Sequence, residues 1–270
     1  MEIRVLKQLF LCLLTVSSLG ACLEDEPVGG GGNHGGEEVD VPASDVTSYK
    51  LGTPIGFDTG IDGLSAICLN ESGNGLLVAE DNGHILEFDF EGNHKASHSV
   101  PGDWEGITKA ADGSIYLSEE RTREVYRLSA DHKSVTLVSK GPDETSESGY
   151  EINQGYEGIA AAPGILYVAN QSGPKRVYAY SLANKTWSKS FDATWATSLS
   201  DIFYDAEDGT LWITDAKTQK LTQLKTDGTR LQNIDISFIN KPEGFCKDSV
   251  NKVFWFVCDK KKKLHKVSYQ

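Results

Sequence analysis

Glu105, Glu157 and Glu243 are spaced so that one fold could bring them together to do chemistry. Each is the second residue of a recurring motif: Trp104-Glu105-Gly106-Ile107, Tyr156-Glu157-Gly158-Ile159 and Pro242-Glu243-Gly244-Phe245. Leu64-Ser65-Ala66-Ile67 and Leu199-Ser200-Asp201-Ile202 complete the set. The second positions fall at 65, 105, 157, 200 and 243, so the steps are 40, 52, 43 and 43 residues. Three carboxylates on one axis repel each other, and at least one would be driven to take a proton. A hard divalent cation relieves that repulsion. Calcium accepts about six to eight oxygens in loose geometry, from carboxylates, amides, carbonyls and water. No soft ligand stands beside these glutamates, which argues against zinc or copper. The expectation is one Ca²⁺ held by Glu105, Glu157 and Glu243, with Mg²⁺ or Mn²⁺ less favoured. The alternative is that the Glu-Gly pairs punctuate the repeat, each glutamate accepting backbone hydrogen bonds from a neighbour.

A step of 40–50 residues with several strand-like runs per step is the pattern of β-propeller blades. The third repeat shows it best, with strands expected over 157–161, 165–169, 176–181 and 187–191, separated by Pro163-Gly164 and by the 170–174 turn. Asp112-Gly113, Asp208-Gly209, Asp227-Gly228 and Glu91-Gly92-Asn93 mark turns elsewhere. No segment keeps a helical period. The expected fold is all-β: a five-bladed β-propeller of four-stranded blades over residues 46–270. The last repeat ends at Gln270 without a fourth strand, and an orphan stretch precedes the first. Thr47–Ile55 is therefore expected to supply the outer strand of the last blade and close the ring, which removes open sheet edges.

Successive strands of a blade run antiparallel. The start of strand one and the end of strand two then share a face of the disc. Strand two is expected to end at Glu80, Glu119, Asn170, Asp215 and Asp259, a second ring offering further or second-shell oxygens to the ion. Farther out on that face, the next turns carry Arg121, Arg123, Lys175, Arg176, Lys217, Lys220 and Lys260–Lys263. They form either a solvated rim or a basic collar that draws an anionic ligand inward. The 52-residue step contains an insertion, 139–153, which returns to this face as a lid or as an idle excursion.

The N-terminal 45 residues read differently. Residues 1–21 have a basic start and a short apolar core, too short to span a bilayer, and are read as a secretory signal peptide. The ending Leu19-Gly20-Ala21-Cys22 resembles the lipobox of bacterial lipoproteins, which implies diacylglycerol on Cys22 and a lipid anchor in the membrane. Residues 22–45 are acidic and glycine-rich, with no lysine or arginine, and are read as a tether. Acidic residues directly after the lipid cysteine resemble a surface-export signal of Gram-negative lipoproteins. The expected address is the outer membrane, facing the cell exterior, with the periplasmic face as the alternative. The chain's net charge of −13 argues against nucleic acid as a partner. Cys68, Cys246 and Cys258 are read as small buried side chains, and the scattered histidines show no zinc-site spacing.

Asp103-Trp104-Glu105-Gly106-Ile107, Glu119-Glu120-Arg121, Tyr156-Glu157-Gly158-Ile159 and Pro242-Glu243-Gly244-Phe245 resemble the SdiA-regulated, YjiK-like family. That resemblance implies a five-bladed propeller with bound calcium, distantly related to NHL-repeat propellers. Some NHL-like relatives are metal-dependent lactonases or esterases with acidic and asparagine ligands at the strand-one position. Here Ser65 and Ser200 depart from that pattern in two blades. Two functions follow. The first is a lipid-anchored, calcium-stabilised module that presents its face to a glycan, a peptide or a small anionic ligand. The alternative is a metal-dependent hydrolase of lactones or phosphate esters, with Glu119 or Asp215 as base. Absence of a nucleophilic serine motif favours the first.

Overall fold

The structure is a computed structural model and describes residues 48–270. The expected signal peptide over 1–21, Cys22 and the expected tether over 22–45 fall outside the described residues. Strand β1 (Ile55–Asp58) comes first. Blade one is β2 (Leu64–Leu69), β3 (Leu76–Glu80), β4 (His84–Phe88) and β5 (His94–Ser99). Blade two is β6 (Trp104–Lys109), β7 (Ile115–Glu119), β8 (Glu124–Leu128) and β9 (Val135–Lys140). Blade three is β10 (Tyr156–Ala162), β11 (Ile165–Asn170), β12 (Arg176–Ser181) and β13 (Thr186–Asp192). Blade four is β14 (Leu199–Asp205), β15 (Thr210–Asp215), β16 (Lys220–Leu224) and β17 (Arg230–Asp235). Blade five is β18 (Gly244–Asp248), β19 (Val253–Cys258) and β20 (Lys263–Ser268), with β1 as its outer strand. The expected five-bladed propeller is what the chain forms.

The closing strand lies later than Thr47–Ile55. β1 pairs Ile55–Asp58 with Lys266–Lys263, and among the described residues an isolated bridge, Leu51 to Tyr269, precedes it. Lys50 and Gly52 still donate to the Gln270 and Ser268 carbonyls, at 3.0 and 2.8 Å. Pro54 has no N–H to give, so the ladder becomes continuous only after it.

The core is not one mass but five seams. Each buried cluster takes side chains from two adjacent blades: one and two, two and three, three and four, four and five, and five and one. The last seam closes the ring. Period-two alternation divides each second strand between its neighbours. Leu76 and Val78 pack toward blade five, whereas Leu77 and Ala79 pack toward blade two. Buried on both faces, these strands read as continuous apolar runs.

The glycine after each axial glutamate has a steric reason. A Cβ on Gly106 would stand 2.8 Å from the Glu157 carbonyl oxygen, and one on Gly244 would stand 2.7 Å from the Ala66 Cα. After these glutamates the neighbouring first strands approach backbone to backbone closely enough to favour glycine, whereas Ala66 and Asp201 hold the same position in blades one and four.

Candidate functional site

In blades one to four, the pairing of strand one with strand two slips by a residue at its start: between Leu64 and Ala66, Trp104 and Gly106, Tyr156 and Gly158, and Leu199 and Asp201. Ser65, Glu105, Glu157 and Ser200 are the extra residues. A bulge of this kind re-aims one side chain out of the alternating pattern. In blade five Glu243 immediately precedes β18, and its N–H donates to the Val257 carbonyl at 3.1 Å.

The result is an axial cavity of about 240 Å³. Glu105, Glu157 and Glu243 all line it, as does Ser65. Ser200 instead donates to the Pro242 carbonyl at 2.9 Å. The second ring needs correction. Asp259 lines the cavity, but in the other blades the residue one step on takes that place: Asp81, Glu120, Gln171 and, in blade four, Ala216. One more backbone bond carries the pairing past each of these second strands: the Asp81, Glu120, Gln171 and Ala216 amides donate to the Gly63, Asp103, Gly155 and Ser198 carbonyls at 2.8–3.2 Å, which holds those residues at the cavity wall. The regular ladder of blade five, with Gly244 opposite Val257, makes Asp259 the counterpart of Asp81 and Glu120.

The expected second-ring residues hold turns. Asp215 accepts the Thr197, Ser198, Lys217 and Thr218 amides. Glu119 accepts the Thr122 amide and hydroxyl. Glu80 faces His84 at 2.9 Å. Asn170 donates to the Ser172 and Pro174 carbonyls, while its buried Oδ1 has no protein partner. Glu119 and Asp215 are therefore outside the set that could serve as base in the cavity.

Six carboxylates face one ammonium among the lining residues: Asp81, Glu105, Glu120, Glu157, Glu243 and Asp259 against Lys241. Lys241 pairs with Glu243. Burial and the neighbouring Glu120, Asp103 and Glu243 charges push the Glu105 carboxyl up to about 8. Burial, then Glu105, Glu120 and Glu243, drive Glu157 well above the usual carboxylate range. Burial also raises Glu243 against the opposing pull of Lys241. Oxygens of Asp103, Glu105 and Glu120 lie within 4.8 Å of one another. Asp103 is steadied from outside by Arg121 at 2.9 Å. The spacing of the repeat alone did not single out Asp81, Asp103 or Glu120, which stand immediately outside the strands it aligns.

Several of the outer basic residues are occupied. Arg176 pairs with Asp192 at 2.6 Å, Lys262 with Asp62 at 2.6 Å, and Lys263 with Asp58 at 3.1 Å. Arg123 is buried and anchors the insertion, donating to Glu144 at 3.1 Å, the Tyr150 hydroxyl at 3.2 Å and the Glu151 carbonyl at 3.0 Å. Tyr178 also donates to Glu144. The insertion is thereby pinned along its length, and its Asn153 reaches the cavity wall. Cys68, Cys246 and Cys258 are buried free thiols, as expected.

Donor chemistry at the cavity suits a hard cation. Its lining side chains offer carboxylate, amide and hydroxyl oxygen, with no imidazole or sulfur among them.

Solved structures share this architecture at low identity. A streptogramin B lyase is 16% identical with a TM-score of 0.48, covering 77% of this chain and 66% of its own, so this chain spans just under two thirds of that length. A structural-genomics protein from Bacteroides thetaiotaomicron is 12% identical with a TM-score of 0.56, covering 77% and 70%. A gluconolactonase from Xanthomonas campestris is 12% identical with a TM-score of 0.52, covering 77% and 86%. For the latter two, whose TM-scores exceed 0.5, the likeness is one of fold. No curated protein matches the chain. A family model described as "Phytase-like: Esterase-like activity of phytase" matches residues 59–200, just over half of the 270 residues and including Glu105, Glu157, Asp103 and Glu120. The chain therefore belongs to this phytase-like family.

Proposed function

We propose that the axial cavity holds a calcium ion and hydrolyses an ester, with phosphate esters and lactones as the substrate classes. The observation that carries the metal is the crowding of six carboxylates around one lysine, with Glu105 and Glu157 pushed toward their neutral forms by burial and by one another's charge. Glu105, Glu157 and Glu243 would hold the ion, with Glu120, Asp81 and Asp259 adding oxygens directly or through water. When bound, such an ion polarises a carbonyl or phosphoryl oxygen as a Lewis acid. The chain's own residues supply the rest. Lys241 offers positive charge to an anionic substrate, and Asn153 and Gln171 offer amides to orient it. Family membership supports the hydrolytic reading and displaces the sequence-based preference for a binding module.

That module remains the second reading, because no histidine or cysteine lines the cavity to act as nucleophile or base. In that case the calcium-stabilised face would bind a glycan, peptide or small anion without turnover. The resemblance to SdiA-regulated proteins fits either. The lipobox-like ending at Cys22 supports a lipoprotein of the outer membrane, and the acidic tether supports its outer face.

Purified protein assayed with chromogenic phosphate esters, carboxylate esters and lactones, with calcium and with chelator, separates these readings. Calcium-dependent turnover lost in Glu157→Gln is the expected result. Calcium-dependent stabilisation without turnover selects the binding module. No calorimetric heat with calcium removes the metal from both.

A further inference from the structure

A second cluster of ligating side chains lies on the flank of the disc, in the seam between blades one and two. Glu87 on β4 and His98 on β5 sit diagonally across one hairpin, with His98 Nε2 at 2.8 Å from Glu87 Oε1. His132 enters from the β8–β9 turn of the next blade, placed there by a left-handed backbone at φ 56°. Its Nδ1 stands 3.1 Å from the same Glu87 oxygen. The two imidazole rings meet edge to face, their centroids 5.2 Å apart. Ligating atoms of Glu87, His98 and His132 all fall within 4.8 Å of one another.

The fourth member gives the cluster its direction. His132 Nε2 lies 2.7 Å from Glu71 Oε1, in the β2–β3 turn. A histidine that binds metal through one nitrogen usually donates its other N–H to a carboxylate, which fixes the tautomer and the ring plane. Glu71 occupies that place and leaves Nδ1 for an ion shared with His98 and Glu87. Two imidazoles and one carboxylate are the donor set of zinc and its borderline neighbours, unlike the all-oxygen axial cavity. The side chains are 10–35% exposed, so an ion can enter from solvent.

We propose that Glu87, His98 and His132 form a zinc-class metal site that ties blade one to blade two, with Glu71 as the positioning residue for His132. On binding, a metal–nitrogen bond replaces the proton at His132 Nδ1, which passes to solvent, while Nε2–H stays on Glu71. The three protein ligands leave a position open for water.

Cobalt(II) titration of the full chain, pre-saturated with calcium to occupy the axial cavity, tests this. The expected result is one equivalent bound with visible d–d bands of a low-symmetry nitrogen–oxygen site, displaced by Zn²⁺. His98→Gln and His132→Gln abolish the bands, and Glu71→Gln weakens binding about 10- to 100-fold while keeping them. His94→Gln, on the same strand, leaves them unchanged. Should His132→Gln fail to fold, His98→Gln decides alone, because its side chain is the more exposed of the two. Absence of bands in the wild type, or bands that persist in His98→Gln, overturns the proposal. In that case the cluster is an ion-paired seam and no more.

Discussion

The two mouths of the central channel are built from the same five first strands yet treat charge in opposite ways. At the strand starts, six carboxylates crowd one lysine. At the strand ends, a cavity of about 360 Å³ is lined largely by apolar groups such as Leu69, Ile107, Phe203 and Val250, and its buried ionic groups find hydrogen-bond partners within the chain, Asp248 from the Asn251 amides. Lys247 donates there to Asp205, to Glu207 at 2.8 Å and to the Tyr49 hydroxyl at 3.1 Å. Both mouths desolvate ionic groups, but only the apolar one satisfies them from within the chain. The acidic mouth is therefore where an external cation has free energy to gain.

The largest expected effect falls on the satisfied end. Lys247→Met strands the Asp205 carboxylate, 2% exposed, without its partner. Breaking a buried pair on one side costs about 3–5 kcal/mol. Urea unfolding should show a loss of that size, with much of it recovered in the double variant Lys247→Met, Asp205→Leu. A loss confined to the single variant's surface-like range, under about 1 kcal/mol, would show that the two mouths are not distinguished by pairing.

At the acidic end the order reverses. Calcium at a hundredfold over its dissociation constant should stabilise the wild type by about 2.7 kcal/mol. Glu157→Gln should lose that increment yet be no less stable than wild type without metal, since it removes a carboxylate that burial and Glu105 already disfavour. Thermal unfolding with calcium and with chelator measures both. Equal calcium responses in the two proteins would move the ion away from Glu157.

Much of this contrast could be read from the chain. The repeated motif located Glu105, Glu157 and Glu243, because a propeller carries equivalent positions to one axis whatever their separation in sequence. Strand identity was equally legible: in blade three the observed Arg176–Ser181 matches the expected bounds. The partners of those glutamates were not. The pairing runs one residue past the strand two that the repeat aligns, so Glu120 rather than Glu119 and Asp81 rather than Glu80 reach the cavity, and no composition signal marks that extra step. Nor could spacing reveal that His98 and His132 meet, since their contact depends on how two separate hairpins lean into one seam. Pro54, visible in the sequence, did carry the information that the closing strand starts after it.

A smaller effect comes from Asp201, which follows Ser200 at the glycine position of the repeat. Its carboxylate accepts the Ile202 amide at 2.8 Å and, across the seam to blade five, the Phe245 amide at 2.6 Å. Burial raises its pKa well above the usual range, against the pull of those two donors. A raised folded value means that the group's stabilisation is full below its unfolded value, about 3.9, and is lost as pH rises through the folded one. Asp201→Asn cannot titrate. It should lower stability by about 1 kcal/mol at acid pH, where one amide loses its acceptor, and the gap to wild type should narrow as pH rises. Unfolding curves taken from pH 4 to 8 give the difference directly. A gap independent of pH would mean that Asp201 stays ionised throughout.

The smallest expected change tests whether the acidic mouth is short of charge or merely full. Lys241 is its sole lining cation among the described residues and spends that charge on Glu243. Burial opposes the ammonium, but Glu243 outweighs it and raises the pKa. The lysine side chain is 55% exposed, so its pairing is worth only about 0.5–1 kcal/mol. Lys241→Met frees Glu243 for the ion and removes a competing positive charge. Calcium affinity should rise about two- to fivefold by calorimetry, the same free energy expressed as binding, while metal-free stability falls by a similar amount. Methionine keeps a Cβ, so the left-handed backbone at φ 62° is no worse served than before. Opposite signs for affinity and stability are what a charge deficit predicts. A variant that binds calcium more weakly would instead make Lys241 part of the architecture that holds Glu243 in place.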